Sequence, residues 1–394
     1  MARIVGVIAE YNPFHLGHAH HLARAREEAG ADYVVAVMST CFTQRGEAAI
    51  LSPADRVKMA LSCEADAVFA LPAVHAVRDA EHFALGGVTI LNGLGCDAIS
   101  FGCEGGTLMQ LQAAARMLES PDEAFSARIR QLMADGLPYP AAAAEAAESL
   151  CPGAGALLSQ PNSTLAVCYL RAMLHIGSQM DVCPVQRQGG YHATSLGDAL
   201  PSATALRGAI LRGDWRSVQS AMPPSAFEIL RHAAQEGRIH RPEALDTALL
   251  SRLRTMADAD YAALPDVSEG VEYRLKSAAA MSCTRAGLLE SAKTRRYPHA
   301  RLSRLATHAL LGLSGETLQQ LPPTDSAWLL GFKQDARELI SLLSQRSQLR
   351  ILARSADLDA QAPWFAAESR AYDLWALGAG LPAGLARKQG VVII

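Results

Sequence analysis

Short apolar runs rich in β-branched residues alternate with segments of helical spacing over the first two hundred residues, and this alternation restricts the fold most. "RIVGVIAE" is such a run, and "GHAHHLARAREEA" follows it with helical spacing. That helix is expected to close at Gly30, which tolerates the left-handed backbone of a C-cap. "YVVAVM" reads as a second, buried strand. Ser52 and Pro53 open "SPADRVKMALSC", serine suiting the N-cap and proline the first helical position. "AVFALP", "AEHFALGGVTILNGLG" and "DAISFGCE" continue as strand, helix and strand. Parallel strands need a crossover between them and helices supply it, so the pattern predicts an α/β fold: a Rossmann-like parallel sheet covered on both faces.

From about Thr107 to Arg187 the reading is mostly helical, with "VCPVQRQ" as one more strand. "SATALRGAILRGDW" restarts a helix at Ser202. Beyond Pro223 strand signals almost vanish, and "ALDTALLSRLRTMA", "VEYRLKSAAAMS", "ARLSRLATHALLGL" and "ARELISLLSQRSQLRIL" all read as helices. The expected division is an α/β domain over residues 1–222 and a mostly helical domain over 223–394, joined near "MPPS".

A net charge of -3 excludes a protein that is basic all over, so a nucleic-acid partner needs a local patch. The eight cysteines form no CxxC pair and no Cys/His spacing suited to zinc, and they read as reduced thiols. "MARIVGVIAEYNP" is too short to span a bilayer and has no cleavage site, so no membrane partner and a cytoplasmic location are expected. No feature specifies an oligomeric state.

"YNPFHLGH", Tyr11 to His18, occupies the position after the first strand, where ligands of doubly wound sheets bind. Gly17 lacks a Cβ and lets a ligand approach the backbone. The helix starting there points unpaired N–H groups and a positive dipole end at the turn, which favours an anion. His15 and His18, three apart, can share one face of the first helical turn and donate to the same phosphate oxygens. Phosphoryl or nucleotidyl transfer needs little more than alignment and charge stabilisation, and losing one well-placed donor costs on the order of 3 kcal/mol. A capping or surface histidine is the plain alternative.

A second helix start repeats the theme. In "PSATALRGAILRGDW", Ser202, Thr204 and Arg207 offer hydroxyls, backbone N–H groups and a guanidinium to phosphate, the alternative being a capped helix with a surface arginine. Further on, "KTRRYPHARLSR" holds Lys293, Arg295, Arg296, Arg301 and Arg304 with Tyr297 and His299 interleaved and no acid. Basic groups neutralise phosphates and aromatics stack on splayed bases, which suits single-stranded RNA. Leu302 and Leu305 mark a core face on the same helix, and a solvated basic face is the alternative.

"HLGH" followed by "SATALR" resembles the HxGH nucleotidyltransferase superfamily, whose second motif is Ser-x-Thr-x-x-Arg. With "TQRGEAAI", "DAEHFALGGVTILNGLGCDAISFGCE", "QPNSTLAVCYLRAM", "VQRQGGYH" and "EGVEYRLKSAAA…AKTRRYPHARLSRLATHALLGL", residues 5 to about 313 are similar to the bacterial tRNA(Met) cytidine acetate ligase family. That resemblance implies activation of acetate by ATP as acetyl-adenylate and transfer of the acetyl group to the exocyclic amine of the wobble cytidine in the anticodon loop of elongator tRNA(Met). It implies a nucleotide site formed by Val7, Ile8, Ala9, Glu10, Tyr11, Asn12, Pro13, Phe14, His15, Leu16, Gly17, His18, Ala19 and His20, with Gly102, Asn162, Arg187 and Gln188. His15, His18, Ser202, Thr204 and Arg207 would act on the reacting phosphates, and Mg2+ would accompany ATP as counter-ion. Two segments depart from the family pattern: "STCF" at Ser39 to Phe42 replaces an expected "SGNF", and Ala193 replaces an acidic residue.

Three readings compete on the sequence: acetate ligation to tRNA, a small-molecule adenylyl- or cytidylyltransferase with the same HxGH chemistry, and a non-catalytic RNA- or nucleotide-binding protein. The second has no need of a basic helical segment, and the third has no need of both histidines.

Overall fold

The computed structural model describes residues 2–137, 139–186, 202–268 and 270–394. Its centre is an eight-stranded sheet. The strands are β1 (Ile4–Ala9), β2 (Tyr33–Ser39), β3 (Ala67–Leu71), β4 (Ala98–Cys103), β5 (Asp181–Gln186), β6 (Ser326–Phe332), β7 (Arg350–Leu352) and β8 (Val392–Ile393). They lie in the order β5-β4-β1-β2-β3-β6-β7, with β8 also paired to β6. The first five strands are mutually parallel, and β6 runs antiparallel to β3.

Alternation along the strands divides the core between the two faces. Val5, Val7, Val34, Ala36 and Val68 join one apolar cluster, while Ile4, Val35, Val37, Ala67 and Phe69 join the other. This period of two, with both faces buried, is why the strands read as continuous apolar runs. Local signals also hold: Gly30 closes the helix Leu16–Ala29 at φ 57°, and Ser52 caps the helix Pro53–Leu61 by accepting from the Asp55 N–H.

The region beyond Pro223 corrects the sequence reading, because three strands lie there. "SAWLLGF" forms β6 and takes the edge that β3 would otherwise leave open. The expected helix over "ARELISLLSQRSQLRIL" ends at Arg346, and its last three residues form β7 against β6. Pairing to a sheet assembled far upstream overrides local helical spacing at both places.

The final long helix, Phe365–Gly378, fastens to loops of the first sheet strands. Trp375 Nε1 donates to the Ala49 carbonyl at 2.6 Å. The fully buried Glu368 accepts from the Thr40 hydroxyl and, at 2.6 Å, from the Ala73 N–H. Thr40 stands where the family pattern has glycine, and its hydroxyl has thereby gained a partner inside the protein.

Burial pushes the Glu368 carboxyl up to about 7, against the Thr40 and Ala73 hydrogen bonds. A raised carboxyl favours the folded state while protonated, so its contribution is present below the ordinary carboxyl range and lost as pH rises towards 7. Glu368→Gln keeps one acceptor and does not titrate. Chemical denaturation from pH 5 to 8 should show the stability difference shifting towards the variant, by up to roughly 3 kcal/mol. A flat difference would mean that Glu368 does not titrate in this range.

Candidate active site

The strand order creates a switch point. β1 pairs with β2 on one side and with β4 on the other, and a crevice opens at their carboxyl ends, the place where open α/β sheets bind ligands. Val7, Ile8 and Ala9 end β1, and the turn Glu10 to His15 crosses the crevice mouth into the helix Leu16–Ala29, which carries Gly17, His18, Ala19 and His20. Tyr11 has φ 47°, and the Asn12–Pro13 peptide is cis. Tyr11, Asn12, Pro13, Phe14 and His15 are buried, while Leu16 to His20 are partly exposed.

His15 is the N-cap of this helix. Its Nδ1 accepts from the Gly17 N–H at 3.0 Å, and the Nδ1 of His18 accepts from the His15 N–H at 3.2 Å. The two imidazoles stack with centroids 3.7 Å apart, and Tyr11 and Phe14 pack their rings against His18. A neutral imidazole that accepts at Nδ1 carries its proton on Nε2. Both rings therefore carry their proton on Nε2, stacked at a helix N-terminus. The capping reading of these histidines is realised at Nδ1, which leaves the phosphate-donor reading to Nε2 as a proposal.

The second motif reaches this turn. Ser202 caps the helix Ala203–Arg212 by accepting from the Ala205 N–H at 3.1 Å, and its oxygen still carries its own O–H. Arg207, on that helix, donates to the Asn12 carbonyl at 2.9 Å, to Glu47 at 3.1 Å and to the Thr204 hydroxyl at 3.3 Å. The Asn12 side chain accepts from the Ile50 N–H at 2.8 Å, so one residue ties both neighbours to the turn. Glu10 accepts from the Gln44 N–H at 2.6 Å, and desolvation raises its pKa.

Gly102 lies at the carboxyl end of β4, paired with Val185 of β5. Just beyond it, Glu104 accepts from the backbone N–H groups of Asn162 and Ser163 at 3.0 and 2.7 Å, and also from the Asn162 side-chain amide. Asn162 thus sits at the start of the helix Pro161–Ile176 with its amide donor turned to Glu104. Arg187, Gln188 and Ala193 lie outside the described residues.

The basic stretch lies across the loop Thr43 to Glu47 from this turn. Lys293, Arg295, Arg296 and His299 are exposed, and Leu302 and Leu305 face the core of the helix His299–Leu311. Tyr297 corrects the stacking expectation: it is only 8% exposed, under the Arg301 guanidinium at 5.8 Å, and so is no platform for a base. Arg301 donates to the Asp266 carbonyl and the Ser268 hydroxyl. Arg285 donates to the Gly46 carbonyl at 2.7 Å and to the Ser303 and Thr307 hydroxyls, and desolvation lowers its pKa to about 10. Gly46, at φ 75°, packs so closely that an added Cβ would stand 2.8 Å from the Ser303 carbonyl.

A sequence profile of the family described as HIGH Nucleotidyl Transferase matches residues 2–383. The chain belongs to the HIGH nucleotidyl transferase family. Among similar members, a Syntrophotalea carbinolica protein is 36% identical, over 88% of this chain and 84% of its own. One from Acetivibrio thermocellus is 34% identical, over 90% and 89%. Both carry the name tRNA(Met) cytidine acetate ligase. A crystal structure of Thermotoga maritima TmcAL bound with alpha-thio ATP superposes with a TM-score of 0.91 at 27% identity and covers all of both chains.

Sequence reasoning missed Glu104, Arg285 and the buried Arg56 as organisers of this site. Their partners lie 58, 239 and 46 residues away, so no local pattern marks them. The tautomer assignment is directly measurable: long-range proton–nitrogen correlation spectra should show both His15 and His18 protonated on Nε2 when neutral. A proton on Nδ1 of either ring would contradict the reciprocal caps.

Proposed function

We propose that this chain ligates acetate to the N4 amine of the wobble cytidine of elongator tRNA(Met), through acetyl-adenylate, giving N4-acetylcytidine, AMP and pyrophosphate. The observation that carries the proposal is the pair of stacked imidazoles at a helix N-terminus, each with its Nδ1 bound to backbone and so its proton on Nε2. The relatives' names supply the substrate class, and the neighbour's alpha-thio ATP supports ATP as the nucleotide.

ATP lies along Val7 to His20, with its base near Gly102 and Asn162, and Arg187 and Gln188 complete the nucleotide site. An acetate oxygen attacks the α-phosphorus and the bond to the pyrophosphate oxygen breaks. His15 and His18 donate to the charge that builds on the α-phosphate, while Ser202, Thr204 and Arg207 hold the departing pyrophosphate. The cytidine amine then attacks the acetyl carbon, AMP leaves, and the amine's proton passes to solvent. Mg2+ enters as the counter-ion of ATP; among the described residues no cluster of three or more His, Cys, Asp or Glu side chains is placed to hold a metal.

Residues 223–394 supply the RNA contact, through Lys293, Arg295, Arg296, Arg301 and Arg304. No helix among the described residues is long and apolar enough to cross a membrane, and a cytoplasmic location fits a tRNA substrate.

The test is transfer of labelled acetate to unmodified elongator tRNA(Met), with and without ATP, by wild type and His18→Asn. The asparagine carbonyl can replace Nδ1 as acceptor for the His15 N–H, but it has no counterpart of the Nε2–H. Label should appear on the wobble cytidine only with ATP. The variant should melt within a few degrees of wild type and transfer label about a hundredfold more slowly. Unaltered transfer by the variant would remove His18 from the chemistry. No transfer by wild type that still exchanges pyrophosphate into ATP would point to a small-molecule acceptor.

A further inference from the structure

Two arginines beside the Thr43 to Glu47 loop have no acceptor adequate to their charge. Arg304 lies on the helix His299–Leu311, on the same stripe as Arg301 and His308. His308 Nε2 donates to the Val77 carbonyl at 2.5 Å, which sets this stripe against the turn that carries Arg78. Arg304 is half-buried, and it makes no hydrogen bond or ion pair with any described residue. Desolvation lowers its pKa, Asp79 and Asp266 work against that shift, and the charges of Arg301 and Arg78 add to it.

Arg78 is little better provided. Its side chain is 14% exposed, its nearest carboxylate is Asp266 at 3.7 Å, and its Nε is buried without a hydrogen-bond partner. The acids facing the pair are Asp79 and Asp266. Asp79 is occupied by the backbone N–H and ring of His82, which hold it down to about 2 despite burial. Three arginines thus face two carboxylates, one of them already engaged. Two neighbouring guanidiniums with only Asp266, 3.7 Å from Arg78, as an ion-pair partner can act as a fork for an anion, and phosphate oxygens match that chemistry.

The position says which phosphate. The Gln44 side chain donates to the Arg78 carbonyl at 2.8 Å, and Gly46 packs on the backbone of Ser303 and Arg304. From the same loop Glu47 holds Arg207, so loop backbone separates the pair from the groups assigned to the nucleotide. The exposed Lys293, Arg295 and Arg296 precede the same helix. Through the Thr43 to Glu47 loop the pair is linked to the turn after β1, and through the helix His299–Leu311 to those basic residues. We infer that Arg78 and Arg304 together bind one phosphodiester of the tRNA next to its reacting cytidine. This rests on the tRNA reading above.

Binding of full-length tRNA(Met) between 50 and 200 mM salt, with KM values for tRNA and for ATP, should be measured for wild type, Arg78→Gln, Arg304→Gln and the double variant. Each single change should weaken tRNA binding about tenfold and flatten the slope of log K against log salt by about 0.7. The double variant should lose little more than either single, because both groups serve one phosphate. The KM for ATP should stay within twofold. Melting temperature supplies the control, since relieving a like-charge pair should leave it unchanged or raised. Unchanged tRNA affinity and slope in these folded variants would overturn the inference. A raised KM for ATP with tRNA affinity intact would overturn it too and assign the pair to the nucleotide. Wild type that binds tRNA but transfers no acetate would sink the proposed reaction and leave the phosphate contact to be decided by the variants' binding.

Discussion

A guanidinium with no exposure to solvent organises the mouth of the crevice. Arg56 Nη1 donates to the carbonyl of Glu10 at 2.7 Å and of Ser39 at 2.9 Å, and its Nε donates to Leu51 at 3.3 Å. Those carbonyls close β1 and β2, where the ladder has run out and an unpaired C=O would be costly. Burial lowers the pKa of Arg56, but an arginine keeps its charge, and charged donors make strong bonds to carbonyls. Both functional segments begin at these points: the histidine turn at Glu10 and the loop to Glu47 after Ser39. The buried Nη2 has no hydrogen-bond partner, so the arrangement is not free of cost.

What the sequence made legible was whatever is encoded locally. The βα alternation, the caps at Ser52 and Ser202, the closing Gly30 and the apolar face of Leu302 and Leu305 all depend on neighbours within a turn or two. The histidine turn was legible for the same reason, as a helix start directly after the first strand of such a sheet, the place where these folds bind ligands. The return of β6 to the sheet was not, because a seven-residue apolar run does not reveal whether it packs as strand or helix. Nor was the burial of Tyr297, which is settled by the chain that folds over it. Asn162 was legible as a residue near a helix start, but its Glu104 partner was not.

The loop Thr43 to Glu47 joins the sheet site to the helical segment more tightly than a linker would. Its Gly46 carbonyl accepts from Arg285 and Thr307, its Arg45 carbonyl accepts from Ser303, and its Glu47 carboxylate holds Arg207. A residue with a side chain at Gly46 would meet backbone on one side and an unfavourable φ on the other. Displacement of the helix His299–Leu311 would therefore be felt at Arg207, one residue from Gly46 through Glu47. The two regions that differ in composition share one mechanical element.

Arg207 shows how the proposed phosphate site would be prepared before a ligand arrives. Its bond to the Asn12 carbonyl fixes the guanidinium at the turn, and Glu47 balances its charge. The Arg207–Glu47 pair is 21% and 41% exposed, and ion pairs that wet contribute only about 0–1 kcal/mol. A phosphate group, with more charge and more acceptor oxygens, can displace Glu47 at little cost while the carbonyl bond keeps the guanidinium in place. His15 and His18 follow the same logic, with Nδ1 bound to backbone and the proton on Nε2. In each case one hydrogen bond to the main chain sets the direction of the group, and in the proposed reaction a second, weaker or separate capacity would act on phosphate.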